Sequence, residues 1–139
     1  MNKESLLAHV NQTVIKNTLM ETLDIKMVEV GEDYLVASMP VNSKVHQPDG
    51  VLHGGATVAL AETTGSFASH IFVDREKFKV RGLEISANHL KSISSGMVYA
   101  TARPIHRGRT THLWEIKITD EQENLISMCK LTVILLPKA

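Results

Sequence analysis

The sequence predicts an α+β fold in which an antiparallel sheet lies against one principal helix. Three observations carry that expectation. Residues from Gly54 to about Phe72 form a long run of Gly, Ala, Thr, Ser, Val and Leu. The run exceeds any ordinary strand and reads as a buried central helix. The chain on either side alternates apolar and polar residues with a period of two, the mark of half-buried strands. The links between the later segments are short and turn-like, which favours antiparallel neighbours.

Taken in order, the elements begin with Leu6, Leu7, Val10 and Val14 among Lys3, Glu4, Asn11 and Lys16. That spacing predicts an amphipathic helix with a narrow apolar stripe. Leu23, Ile25 and Met27 then alternate with Asp24 and Lys26. Gly31, Glu32 and Asp33 make a turn, and Leu35, Ala37 and Met39 resume the alternation up to Pro40, so a hairpin is expected. Val41 to Asp49 reads as a loop, closed by the Pro48, Asp49, Gly50 turn signal. After the central helix and the polar stretch Asp74 to Lys77 come four alternating segments: Lys79 to Leu90, Met97 to Ile105, Thr110 to Thr119 and Leu125 to Leu136. Their connections are Ser94–Gly96, His106–Gly108 and Asp120–Asn124, so the expectation is a four-strand meander.

The chain has 139 residues, 43% of them apolar, which suits one domain spanning residues 1–139. Fifteen lysines and arginines balance fifteen aspartates and glutamates, so no polyanion such as nucleic acid is expected as a partner. Residues 1–10 lack the apolar core of a secretory signal, and no run approaches the roughly 20 apolar residues of a membrane-spanning helix. Cys129 is the only cysteine and excludes an internal disulfide. A cytoplasmic location is the expectation. The seven histidines show no paired ligand spacing, so no metal is expected. A serine nucleophile lacks its Gly-x-Ser-x-Gly elbow.

Between Asp49 and Asp74 the only Asp, Glu, Lys or Arg is Glu62, midway along the central helix. A carboxylate enclosed by apolar neighbours loses hydration that they cannot replace, so its place there asks for a reason. An outward orientation, or a distant Arg partner, is the ordinary one. Ser66 lies one turn further on the same face and can orient a water or the carboxylate. His53, Gly54 and Gly55 begin the helix, where glycines let a ligand approach unpartnered backbone N–H groups; a tight helix start is the commoner use of such glycines. Those donors suit a developing oxyanion. Gly54 and Glu62 are eight positions apart, roughly 12 Å along the helix. One ester carbon cannot touch both, so a shared reaction requires the donor from one copy and the carboxylate from another, as a two-fold dimer provides.

The stretch Gln47, Pro48, Asp49, Gly50, Val51, Leu52, His53, Gly54, Gly55, Ala56, followed by Ala61, Glu62, Thr63, Thr64, Gly65, Ser66, resembles the active-site signature of hotdog-fold acyl-CoA thioesterases. The matching branch is typified by bacterial hydroxybenzoyl-CoA, phenylacetyl-CoA and dihydroxynaphthoyl-CoA thioesterases. The similarity extends through Gly82 to Leu90 and again near Trp114 to Ile118. The resemblance implies a sheet wrapped around one long central helix. It also implies that Glu62 is general base or nucleophile and that the Gly54 N–H binds the thioester oxygen. Gln47 would help hold the acyl end, His53 would sit near the thioester, and Ser66 would position water. It further implies that Gln and Gly come from one subunit and Glu from its neighbour, in a dimer or a dimer of dimers. Coenzyme A is part of the substrate and no cofactor is required.

Gly55, Phe67 and His89 are candidates for the substrate pocket, although aromatics and strand histidines serve cores and surfaces more often. Lys91, Arg107 and Arg109 are candidates for the coenzyme A phosphates, against the ordinary role of solvated turn charges. Trp114, Ile116, Ile118 and Cys129 read first as core. Two rivals remain at this stage. A hotdog enoyl-CoA hydratase or dehydratase would use His46 or His53 as base, and a non-catalytic acyl-CoA sensor would not need Glu62.

Overall fold

The structure is a computed structural model and describes residues 2–139. Helix α1 (Lys3–His9) is capped by the Asn2 side chain and runs into a π-type turn over Val10–Val14. A short helix α2 (Leu19–Thr22), absent from the sequence expectation, follows with Thr18 as its N-cap. Strands β1 (Lys26–Val30) and β2 (Leu35–Val41) form the expected hairpin, closed by Gly31 N–H donating to Tyr34 O at 2.8 Å. The loop after β2 contains one 3₁₀ turn, Ser43–Val45. Helix α3 occupies Gly54–Phe72, the span the composition predicts. Four strands then complete the chain: β3 (Phe78–His89), β4 (Gly96–Arg107), β5 (Thr111–Thr119) and β6 (Leu125–Pro137).

All six strands lie in one antiparallel sheet in the order β1-β2-β4-β5-β6-β3. The expected meander is therefore corrected at its first strand. β3 pairs with β6, the last strand, not with β4, and occupies an edge. Residues 90–95 cross between strands three places apart. Three lateral steps amount to roughly 15 Å, and a six-residue link reaches about 20 Å. A short link thus reported reach and not neighbourhood.

One face of α3 packs on the sheet through Thr57, Leu60, Ala61, Thr64, Gly65, Ala68 and Ser69. These recur at helical spacing and are mostly small, so the backbone of α3 comes close to the strands. A Cβ added at Gly65 would stand 2.7 Å from Leu131 Cδ2 and 3.0 Å from Ile116 Cδ1. Trp114, Ile116, Ile118, Cys129 and Leu131 form the sheet side of this core and are fully buried. Burial pushes the Cys129 thiol up to about 11, which leaves it an inert packing group. The polar atoms of this layer are satisfied: Trp114 Nε1–H donates to Ser69 Oγ at 2.7 Å, and Ser69 Oγ lies 2.8 Å from His112 Nδ1.

The opposite face of α3 is half-covered by the N-terminal elements and otherwise open. The two sheet edges differ. On β1, the Asn11 side chain accepts from Met27 N–H and donates to Met27 O, both at 2.8 Å, so an amide fills the place of a neighbouring strand. On β3 the outer edge is bare over twelve residues, with Leu83 58% exposed. Among the described residues no helix is long and apolar enough to cross a membrane.

Candidate active site

The expected site residues, His53 excepted, fall into three separate hollows of the single chain. The largest, about 730 Å³, lies between the N-terminal elements and the open face of α3. It holds Glu62, Ser66 and Phe67, with Gly55 at one end and Arg75 at the other. A second, about 260 Å³, collects Gln47, Gly54, His89 and Lys91 around the start of α3. Arg107 and Arg109 line a third, near the far end of α3, with Phe72, Phe78 and His112.

Glu62 is exposed in the single chain, which corrects the expectation of an enclosed carboxylate. The cause is that α3 buries one face only, and Glu62 is on the other. Its side chain lies over β3: the Cβ position of Gly82 is 3.0 Å from Glu62 Oε2, so any larger residue there would displace the carboxylate. Among the described residues no ion pair reaches Glu62. A carboxylate left without a cation beside apolar Val58, Ala59 and Phe67 is available to act on a ligand.

The helix start is built for donation. His53 is the N-cap, and its Nδ1 accepts from Gly55 N–H at 2.8 Å. Gly55 is thereby committed to the cap. His53 O receives Ala56 N–H and Thr57 N–H, while among the described residues Gly54 N–H meets no acceptor. The free Gly54 N–H lies at the positive end of a 19-residue helix, a position that suits an oxygen acceptor. A Cβ at Gly54 would meet His89 Nε2 at 2.8 Å, and His89 is anchored by Ser127 Oγ 2.8 Å from its Nδ1. Gln47 Oε1 accepts from Asp49 N–H, in a turn where Gly50 takes φ +79°. That leaves the Gln47 amide N–H groups pointing to no internal partner among the described residues.

His46 Nε2 is 2.9 Å from Ser94 O, and neither His46 nor His53 lines the Glu62 cavity. Arg107 stacks on Phe72 with its guanidinium carbon 5.2 Å from the ring centroid and is spent on the end of α3. His70, which the sequence reading passed over, lines the Glu62 cavity two turns beyond the carboxylate. The i, i+4, i+8 spacing of Glu62, Ser66 and His70 is the signal that could have found it.

Comparison with known proteins agrees with this architecture. A family model of the thioesterase superfamily matches residues 49–127. The chain is 45% identical over 114 residues to the 1,4-dihydroxy-2-naphthoyl-CoA hydrolase of Escherichia coli, covering 82% of this chain and 83% of that protein. It is 49% identical over 105 residues to the proofreading thioesterase EntH of Cronobacter turicensis, covering 76% of each. Among solved structures, a thioesterase from Haemophilus influenzae superposes with a TM-score of 0.90 at 42% identity, covering 94% of this chain and 90% of that one.

Proposed function

This chain belongs to the thioesterase superfamily, with its hotdog fold and thioester hydrolase activity, and on that premise we propose that it cleaves a small aromatic or short-chain acyl-CoA to free acid and coenzyme A. The reading takes residues 1–139 as one thioesterase domain, working as a cytoplasmic dimer or dimer of dimers. What carries it is the division of parts: a carboxylate cavity and an amide cavity that both border α3, with Gly54 and Glu62 roughly 12 Å apart along the helix.

Two copies paired along their β3 edges would bring those parts together. Glu62 lies against Gly82 and Gly54 against His89, so both half-sites sit on β3. An antiparallel pairing centred near Ile85 sets the partner's His89 alongside Gly82. The Gly54 N–H and Gln47 of one copy then face Glu62 of the other across a substrate-sized gap. The same pairing covers the open face of α3 and removes water from around the carboxylate.

In this arrangement the thioester oxygen takes the Gly54 N–H, assisted by the Gln47 amide, as negative charge develops on it. Glu62 either accepts a proton from a water held by Ser66 or attacks the carbonyl carbon itself. The thiolate of coenzyme A leaves and is protonated; where Glu62 has attacked, water then hydrolyses the mixed anhydride, releasing the free acid and restoring the carboxylate. A thioester carbonyl is electrophilic enough for these groups to suffice without a metal. Glu62→Ala is expected to lower kcat by about 10² to 10⁴ on an acyl-CoA panel followed with a thiol-trapping dye. Equal turnover by wild type and variant would remove Glu62 from the chemistry. Oxygen label from water appearing in Glu62 during a single turnover separates attack by the carboxylate from base action.

A further inference from the structure

Strand β3 carries an inward row of side chains that is reset at Leu83. Gly82 pairs with Val133 and Glu84 with Thr132, so Leu83 is an extra residue that bulges from the ladder with β6. Before the bulge the inward positions are Val80, which is buried, and Gly82. After it they are Ile85 and Ala87, which pack against the core, and His89, which meets the start of α3. An unbroken period of two would instead have turned Glu84 and Ser86 inward. Gly82 is thus the one inward position of β3 without a side chain, and it stands beside the bulge.

Its backbone does not demand a glycine. Gly50 and Gly96 take positive φ, whereas Gly82 does not, so alanine or valine can adopt its conformation. What a side chain lacks there is room. The Cβ position of Gly82 is 3.0 Å from Glu62 Oε2 and 3.8 Å from Glu62 Cδ, so the carboxylate rests on the strand by one oxygen and holds the other farther off. Leu131 joins this niche to the packing of the helix. Its Cδ1 is 3.7 Å from the Gly82 Cβ position, and its Cδ2 is 2.7 Å from that of Gly65. Gly65 follows Glu62 by three positions on α3, so the helix that comes close to the sheet at Gly65 also lowers the carboxylate onto Gly82. A glutamate on an open helix face otherwise keeps most of its rotamers, and a floor shaped to one oxygen restricts them.

We infer that Gly82 is a positioning residue: by lacking a side chain it seats the Glu62 carboxylate at one height and in one orientation over β3, ready for the step assigned to Glu62. The inference rests on the hydrolase reading for that step. Gly82 acts through Glu62 and supplies no group of its own to the reaction.

Gly82→Ala and Gly82→Val, each alone and combined with Glu62→Ala, test this on the acyl-CoA panel. The kcat is expected to fall about tenfold for Gly82→Ala and about 10²-fold for the bulkier Gly82→Val, with KM held. Tm should hold or rise, since alanine and valine suit a strand better than glycine does. On the Glu62→Ala background neither substitution should lower the residual rate further. The same fold loss on both backgrounds would make the glycine a part of the sheet with no bearing on Glu62, and an unchanged kcat would mean that the carboxylate needs no seat. Either result overturns the inference, as does a smaller mass in solution for the variants, which would assign Gly82 to the joining of copies. The NMR shift of the Glu62 side-chain carboxyl carbon reads the seat without turnover: it should move between wild type and Gly82→Ala, and an unmoved resonance also overturns the inference. Were Glu62→Ala as active as wild type, the hydrolase role of Glu62 would fall, and the carboxyl resonance would still decide whether Gly82 holds it.

Discussion

Proline at position 54 would separate the two jobs of the first residue of α3. Pro is well tolerated at the first helical position, and the preceding His53 already has φ −69° and ψ 130°, the extended conformation that precedes proline. Gly54→Pro therefore suits the helix start and deletes the amide N–H that meets no acceptor among the described residues, while its Cβ, 2.8 Å from His89 Nε2, pushes that ring aside. Its kcat is expected to fall by about 10² to 10³, with Tm lowered by the displaced His89 ring; an active Gly54→Pro enzyme would place the oxyanion elsewhere. His112 bears on stability. Burial, then Arg107 and His106, lowers its pKa from the ordinary 6.5, so the native ring stays neutral while the unfolded one takes up a proton. Stability is full above pH 6.5 and declines as pH falls from there toward the native pKa, with His70 acting in the same direction. Thermal melts from neutral to mildly acid pH should show this decline, and His112→Gln should flatten it. At this scale the sequence was legible in placement, since the candidates Gln47, Gly54, Glu62 and Ser66 of one short motif all lie in the hollows around α3. It was illegible where side chains converge from distant segments, as in the Ser69, His112 and Trp114 network or the meeting of Lys138 with Arg75.

Among the elements, α3 is set by its small face. Gly65→Ala adds a methyl between Leu131 and Ile116, both fully buried, at 2.7 and 3.0 Å. Alanine improves helix propensity by about 1 kcal/mol, whereas overpacking costs about 1–3 kcal/mol. The net expectation is a destabilisation of up to about 2 kcal/mol, read as a lower denaturation midpoint at unchanged slope. A more stable Gly65→Ala would mean that the core yields more readily than its packing implies. The same small residues made α3 recognisable, because a run of nineteen without a turn signal has no strand reading. Strand existence was equally plain from the period of two. Pairing was not, since alternation states that a strand has a buried face and says nothing of its neighbour, and β3 found β6 across the curve of the sheet. Helix α2 escaped notice because four residues are too few to show a period.

For the whole molecule, the proposed shared site makes a quantitative statement about mixtures. Glu62→Gln and Gly54→Pro each disable one half of every site in their own homodimers. After subunit exchange, half of the dimers are mixed and each has one intact site, so about a quarter of wild-type activity should return. No recovery, with exchange verified by mass, would mean that each copy carries a whole site of its own. The asymmetry of the two sheet margins has a further consequence. Asn11 occupies the Met27 hydrogen-bonding groups on β1, which leaves β3 as the longer and more open border. Filaments grow by strand addition only when both borders accept a neighbour, so this small amide clasp on β1 favours coupling in twos over fibrous growth.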